Sequence, residues 1–529
     1  MRLIGAGNGY RRFGAGEAAI TRPDAPGPPD LIVRLREAAH STAPPGWTGS
    51  SDTGEAGQIM TEPTARELLA DLTAHRVSAR ELLDAAVARA EATEELTAVV
   101  ATDLDRARAA AAAVDEARAA GAEVGRLAGL PMTIKDGFDV TGMPAVCGSP
   151  SLVGRDPDVP DADVVAIARA AGAVLWGKTN VPLMLGDVQT YNAVYGTTRN
   201  PYDPERTSGG SSGGAAVALA TGVTSLEIGS DLGGSLRIPA GFCGVHALKP
   251  TWGRLPGRGQ VPPLPGTPYV EQDLGVVGPM ARTAGDLRLL WEVLAGRSTT
   301  PTPASGLRVA LWLDAPLPLA GEVRSIVESA AEGLRAQGVA VELAAPPVDV
   351  DELIETYFGL LFPVIAAGLP AKVLDRLRAQ RPEAVAAVAA GASRYREQAN
   401  IAFLTADDDA ILAARGRRAR MQRAVAAWFE SYDAILAPVT AVPAFPHDHS
   451  GSLAARDVEV DGEAVPYLHL FDWIALASAL HLPAVSAPAG RTAAGLPVGV
   501  QLIAPLDRED RLLDLAEALE LADVGAAQR

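Results

Sequence analysis

The sequence predicts an α/β layered fold built on a largely buried β-sheet. Three observations predict it. Short apolar runs broken by Gly and Pro recur along the chain, among them "LPMTIKD", "GAVLWGKTN" and "VTSLEIGSD". Ala-rich helical stretches such as "DADVVAIARAAG" and "SSGGAAVALATG" alternate with those runs. Strand and helix then repeat in turn, which suits a layered fold with a largely buried sheet.

Taken in order, residues 1–59 are rich in Gly and Pro and weakly patterned, with "PDAPGPPD" and "STAPPGWTGSSDTG". A disordered, non-catalytic leader is expected there. Arg11 and Arg12 suggest an export signal only until "FGAGEAA" fails to supply an apolar core, and Met60 is a second candidate start. Ordered pattern begins with two capping-box sequences, Thr64 to Glu67 and Ser78 to Glu81, each followed by Leu-Leu on a helical face. "DLDRARAAAAAVDEARAA" is another helix, and the strand-like runs start after Gly125.

The region from about 300 to 430 opens with "LRVALWL" and turns helical through "DVDELIETYFGLLFPVIAAGL" and "AARGRRARMQRAVAAWFESY". It reads as an insert that packs over a site. Strand texture returns in "YDAILAPVTAVPAFP", and "HLPAVSAPAG" and "GLPVGVQLIAP" read as closing strands of the same sheet. Length alone would allow roughly three domains. Nothing in the middle reads as a hinge, so residues 60–529 are expected to form a single catalytic domain.

Composition narrows the function classes. A net charge of −18 repels phosphate backbones and anionic lipid, so neither nucleic acid nor membrane is an expected partner. No run of about 18 consecutive apolar residues suggests a membrane span. Cys147 and Cys243 are too few for a disulfide scaffold and fit a reducing, cytoplasmic location. The seven histidines are scattered, and "HDH" at His447 to His449 reads as a solvated turn. No metal and no cofactor are expected.

Two motif matches fail on physical grounds. "GAVLWGKT", Gly172 to Thr179, satisfies GxxxxGK[ST], but a phosphate cradle needs a flexible glycine-rich loop. Here the four intervening residues are strand-like and Pro182 blocks the helix that should follow. "GGSSG", Gly209 to Gly213, satisfies GxSxG, but that elbow must follow a strand directly. The preceding "TTRNPYDPERTS" is polar and turn-forming.

What survives is a lysine after a strand in "TIKDGFD", then "SGGSSGG", then "GSDLGGSLRIPAGFCG". In that order, with "GLPVGVQLI" near the end, these blocks resemble the amidase signature family over most of residues 60–520. The resemblance implies an α/β fold with a large mixed β-sheet core covered by helices on both faces, and the hydrolysis of an amide through an acyl-serine intermediate. It gives Lys135 the base position, Ser211 the bridging position after a cis Gly210–Ser211 bond, and Ser235 the nucleophile. It further implies an oxyanion hole of backbone N–H groups from Leu232, Gly233, Gly234 and Ser235, with Ser212, Asp231 and Arg237 bracing the loops.

That assignment is chemically coherent. A serine hydroxyl is a weak nucleophile until a neighbouring base takes its proton. Lysine is such a base only when neutral, and burial favours the neutral form. Taken singly, Lys135 would pass for a strand-end surface lysine and Ser235 for a helix cap. Together, in this order, they make a catalytic set. His246 and Cys243, close to the proposed nucleophile in sequence, read as packed core.

After "GKTN" the chain continues "VPLMLGDVQTYN", and the resemblance places Met184, Leu185 and Asp187 near the acyl site. Relatives often carry an acidic residue there, so an apolar wall and a hydrophobic or aromatic acyl group are expected. The expected partner is a small-molecule amide, with a homodimer left open. The alternative is the glutaminase subunit of an aminoacyl-tRNA amidotransferase, whose chains typically show "MDEF" after Lys-Thr-Asn. Esters and carbamates (urethanes) also remain open as substrates.

Overall fold

The structure, a computed structural model, describes residues 62–527 except 263, 265, 267 and 268. The expected leader lies outside the described residues. Both capping boxes form: the hydroxyls of Thr64 and Ser78 accept from the N–H groups of Glu67 and Glu81, whose carboxylates accept from the cap N–H groups in return. They open helices Ala65–Thr73 and Ala79–Ala92.

Eleven strands build the two sheets that hold the site. They are β1 (Val99–Thr102), β2 (Pro131–Lys135), β3 (Val174–Thr179), β4 (Leu226–Asp231), β5 (His246–Lys249), β6 (Val276–Ala281), β7 (Arg308–Leu311), β8 (Ala340–Leu343), β9 (Ala434–Pro438), β10 (Ala484–Arg491) and β11 (Pro497–Ile503). Eight form the large mixed sheet, in the order β8-β7-β9-β11-β10-β5-β6-β4, with helices on both faces. β7 runs parallel to β8 and β9, and the other pairings are antiparallel. The closing runs β10 and β11 are neighbours in it, as the sequence implied.

The sheet is not continuous with the first strands. β1, β3 and β2 form a separate three-stranded sheet, in which β2 and β3 are parallel. Lys135, at the end of β2, reaches across to Ser230 of β4, so the two sheets meet at the lysine. The region from about 300 to 430 also holds more than helices. It contributes β7 and β8 to the large sheet, ahead of helices Val350–Ala367, Ala371–Ala389, Glu397–Leu404 and Asp408–Trp428. β8 is an edge strand with only Val341 buried, which leaves too little apolar pattern to be legible.

A close approach explains one glycine late in the chain. A Cβ on Gly499 would lie 2.6 Å from the Cα of Gly241, so Gly499 must be bare for helix Arg237–Cys243 to lie on β11. That helix carries the loop before it, "DLGGSL", to the end of β4. No helix among the described residues is long and apolar enough to cross a membrane.

Candidate active site

β2 delivers Lys135 to the centre of the protein, where the side chain is wholly buried. Its Nζ has three partners: Ser211 Oγ at 2.8 Å, Ser230 Oγ at 3.0 Å and the Ser230 carbonyl at 3.2 Å. Burial pulls its pKa down to about 7, against the opposing pull of Asp231, Cys147 and Glu227. A neutral amine has two N–H groups and one lone pair. The Ser230 carbonyl can only accept, so the lone pair must take its hydrogen from a hydroxyl, and the closer one belongs to Ser211.

The loop that carries Ser211 opens helix Gly213–Ala220. The Gly210–Ser211 bond is cis. Gly209 sits at φ +81°, in the region that favours glycine. Gly210 must be bare for another reason: a Cβ there would lie 2.6 Å from the Asp187 carbonyl oxygen and 3.0 Å from the Gln189 nitrogen. The segment 187–189 is therefore a wall pressed against the backbone just ahead of Ser211. Thr190 extends it, its hydroxyl donating to the Gly209 carbonyl at 2.8 Å.

Ser235 ends the loop between β4 and helix Arg237–Cys243 and is partly exposed, unlike Ser211. The two loops are joined through the backbone, the Ser212 N–H donating to the Ser235 carbonyl at 3.2 Å. This is how Ser212 braces the site, since its buried hydroxyl has no partner. The loop is held from below by a fully buried ion pair, Arg237 to Asp231 at 3.0 Å. Arg237 also donates to the Ile474 carbonyl, Gln501 and Ser478. Burial raises the Asp231 pKa, and Arg237 more than offsets that, leaving it below the ordinary carboxylate value.

Two expectations change at this point. Gly234 was expected among the oxyanion donors, but its N–H donates to Asp231 Oδ1 at 2.9 Å. The amide is spent on bracing the loop, which leaves Leu232, Gly233 and Ser235 as candidate donors. Asp187 was expected near the acyl site; its backbone lies against Gly210, but its carboxylate accepts from Arg456 at 2.6 Å, Tyr467 at 2.9 Å and Tyr191 at 3.1 Å. A carboxylate so fully bonded inside the protein has little left to offer a substrate.

Met184 and Leu185 both have positive φ, at 50° and 61°. Met184 packs on Ala145, Cys147, Leu152 and Val261, and Leu185 lies against Gly137, which follows Lys135 by two residues. On the other side, the Phe471 ring would be 2.9 Å from a Cβ on Gly233, and the Tyr357 hydroxyl sits 3.5 Å from the Leu232 carbonyl. Ser230, Tyr357 and Phe471 had gone unnoticed in the sequence. For Ser230 a signal existed: it precedes Asp231 in the same block that carries Ser235. Tyr357 and Phe471 are ordinary aromatics in apolar runs and carry none.

Other residues are structural. His246 is buried in β5, with Nδ1 3.1 Å from the Arg282 carbonyl, and burial lowers its pKa to about 4. Cys147 and Cys243 are free and buried. Lys178, from the apparent phosphate-loop match, lies in fully buried β3 and donates to the carbonyls of Phe138 and Met143. His449 stacks on Tyr191 at 3.7 Å and remains exposed, as a solvated turn allows. Among the described residues no group of three or more His, Cys, Asp or Glu could hold a metal ion.

The fold and this buried site define a class, a hydrolase acting on amide C–N bonds. The chain belongs to the amidase signature family: the family model described as Amidase matches residues 81–513. Among curated proteins it is 34% identical to a glutamyl-tRNA(Gln) amidotransferase subunit of Synechococcus sp. (strain WH7803), over 84% of this chain and 94% of that protein. Among solved structures it resembles a crystal structure of an amidase, with TM-score 0.72 and 31% identity, over 87% of this chain and 99% of that one. It also resembles a peptide amidase solved with the competitive inhibitor chymostatin, with TM-score 0.69 and 28% identity, over 87% and 97% of the two chains.

Proposed function

We propose that the chain hydrolyses a carboxamide through an acyl-enzyme on Ser235. The observation that carries this reading is the 2.8 Å contact between a fully buried Lys135 Nζ and Ser211 Oγ. Lys135, as the neutral amine, takes the Ser211 proton while Ser211 takes that of Ser235. The Ser235 oxygen adds to the carbonyl carbon, and N–H groups of Leu232, Gly233 and Ser235 receive the developing oxyanion. Ser211 then gives a proton to the departing nitrogen and takes back the one held by Lys135, the C–N bond breaks, and an ester to Ser235 remains. Water attacks that ester by the same route and releases the acid.

The curated relative's name supports the amidotransferase reading of the substrate better than the hydrophobic-acyl reading. In that reading the amide is glutamine and the chain works with protein partners. The hydrophobic-acyl reading keeps one observation of its own, apolar side chains on both sides: Leu185 against Gly137 beyond Lys135, and Phe471 with Tyr357 against Gly233 before Ser235. One assay separates them. The purified chain is given glutamine and, separately, a panel of aliphatic, aromatic, peptide C-terminal and carbamate substrates, and ammonia or amine release is followed. Turnover of apolar amides by the chain alone establishes the free-standing hydrolase. Activity confined to glutamine and to a partner complex establishes the amidotransferase role. Inactivity of Ser235→Ala in whichever assay succeeds ties the turnover to this site.

A further inference from the structure

The wall at residues 187–189 needs a support of its own, because it faces Gly210 with backbone and not with side chains. That support comes from far along the chain. Arg456 and Asp187 form a buried ion pair at 2.6 Å with both side chains almost closed to solvent. Arg456 also donates to the Asp448 carbonyl at 2.9 Å, and its guanidinium lies 4.6 Å from the centre of the Tyr467 ring. Tyr467 donates to Asp187 at 2.9 Å, and Gln189 donates to the Tyr467 oxygen at 3.2 Å. Tyr467 begins a short 3-10 turn, Tyr467–Phe471, whose last residue packs on Gly233. One five-residue turn therefore touches the wall behind Ser211 at one end and the loop before Ser235 at the other.

We infer that Asp187, Arg456 and Tyr467 are positioning residues for the hydrolysis, and that the Tyr467–Phe471 turn is a bracket fixing the spacing between the Ser211 and Ser235 loops. The inference rests on the proposed reading of those two serines as the reacting pair. Its physical logic is that a relay of hydroxyls tolerates little displacement, since a misplacement of about 1 Å can cost on the order of a hundredfold in rate. The Ser212–Ser235 backbone bond at 3.2 Å ties the loops directly, and the bracket adds a second tie through Asp187 and Gly233.

The test uses the full chain. Tyr467→Phe removes one donor to Asp187 and keeps the ring beneath Arg456. The expected result is a fall in kcat of about tenfold, with KM for the same amide unchanged to within about twofold. Amide hydrogen exchange across residues 207–214 should quicken in this variant while the rest of the chain exchanges as in wild type. A rise in KM at constant kcat would overturn the inference, because Tyr467 would then serve substrate binding. Unchanged exchange at 207–214, or faster exchange throughout the chain, would also overturn it. Exchange keeps the two readings apart: activity retained in Ser235→Ala removes the proposed chemistry, whereas exchange at 207–214 in Tyr467→Phe still decides the bracket.

Discussion

Lys135 Nζ and Ser211 Oγ lie 2.8 Å apart, and neither side chain has appreciable access to solvent. With its pKa drawn down by burial to about 7, the lysine is poised to change protonation in the neutral range. The rate should therefore rise with pH through about 7 and level off above it, because the neutral amine is the active form. A profile of kcat/KM against pH checks this, and a flat profile would sink the lysine base. Lys135→Ala should be inactive across the whole range.

The same shift makes a prediction about stability. Between the folded value near 7 and the ordinary lysine value, the unfolded chain holds a proton that the folded chain lacks, so wild-type stability climbs with pH across that window. Lys135→Met lacks the titration. It should be more stable than wild type below about pH 7, and the gap should close as the pH rises toward about 10. Lys249, also lowered to about 7 chiefly by burial, titrates in both proteins and cancels in the comparison. Urea unfolding at several pH values measures the gap, and a gap that widens with pH would contradict the argument.

Ser235→Ala removes a partly exposed hydroxyl and leaves no large cavity. Turnover should drop by at least about a thousandfold with the melting temperature essentially unchanged. Steady-state kinetics and thermal unfolding on one preparation decide it.

Arg237 is enclosed with Asp231 at 0% exposure on both side chains. Arg237→Met strands a carboxylate in the interior, at a cost of about 3–5 kcal/mol. It also frees the loop that Asp231 organises through Gly234 and Leu236. Chemical denaturation should show the loss, and activity should fall with it.

Two glycine substitutions should act in opposite directions. Gly210→Ala places a methyl group 2.6 Å from the Asp187 carbonyl oxygen, where only backbone could yield, so activity should be lost. Gly416→Ala lies within helix Asp408–Trp428 and meets nothing within 4 Å. It should stabilise the protein by about 0.5–1 kcal/mol without touching catalysis, a difference visible in thermal unfolding.

Much of the site was legible because its signals are local. Capping boxes act within three residues, and both formed. The Gly-Ser blocks marked the two loops, and Lys135 stood at a strand end as its flanking residues implied. The errors have physical causes too. The resemblance placed Asp187 near the acyl site, but the partner that occupies its carboxylate, Arg456, stands 269 positions away, where no local pattern points to it. The resemblance grouped Gly234 with its neighbours as an oxyanion donor, but its amide turns toward Asp231.

The sequence by itself determined most of the strand and helix identities, the family, and the candidate residues for the chemistry. Those properties depend on side-chain periodicity, turn residues and short-range hydrogen bonds, each complete within a few positions. Tertiary structure alone decided that the first strands form their own sheet, that β8 joins the large one, and which buried polar groups pair. Such pairings follow from how distant segments close on each other, where a buried charge must find whichever partner the packing brings within reach. No local pattern encodes that choice.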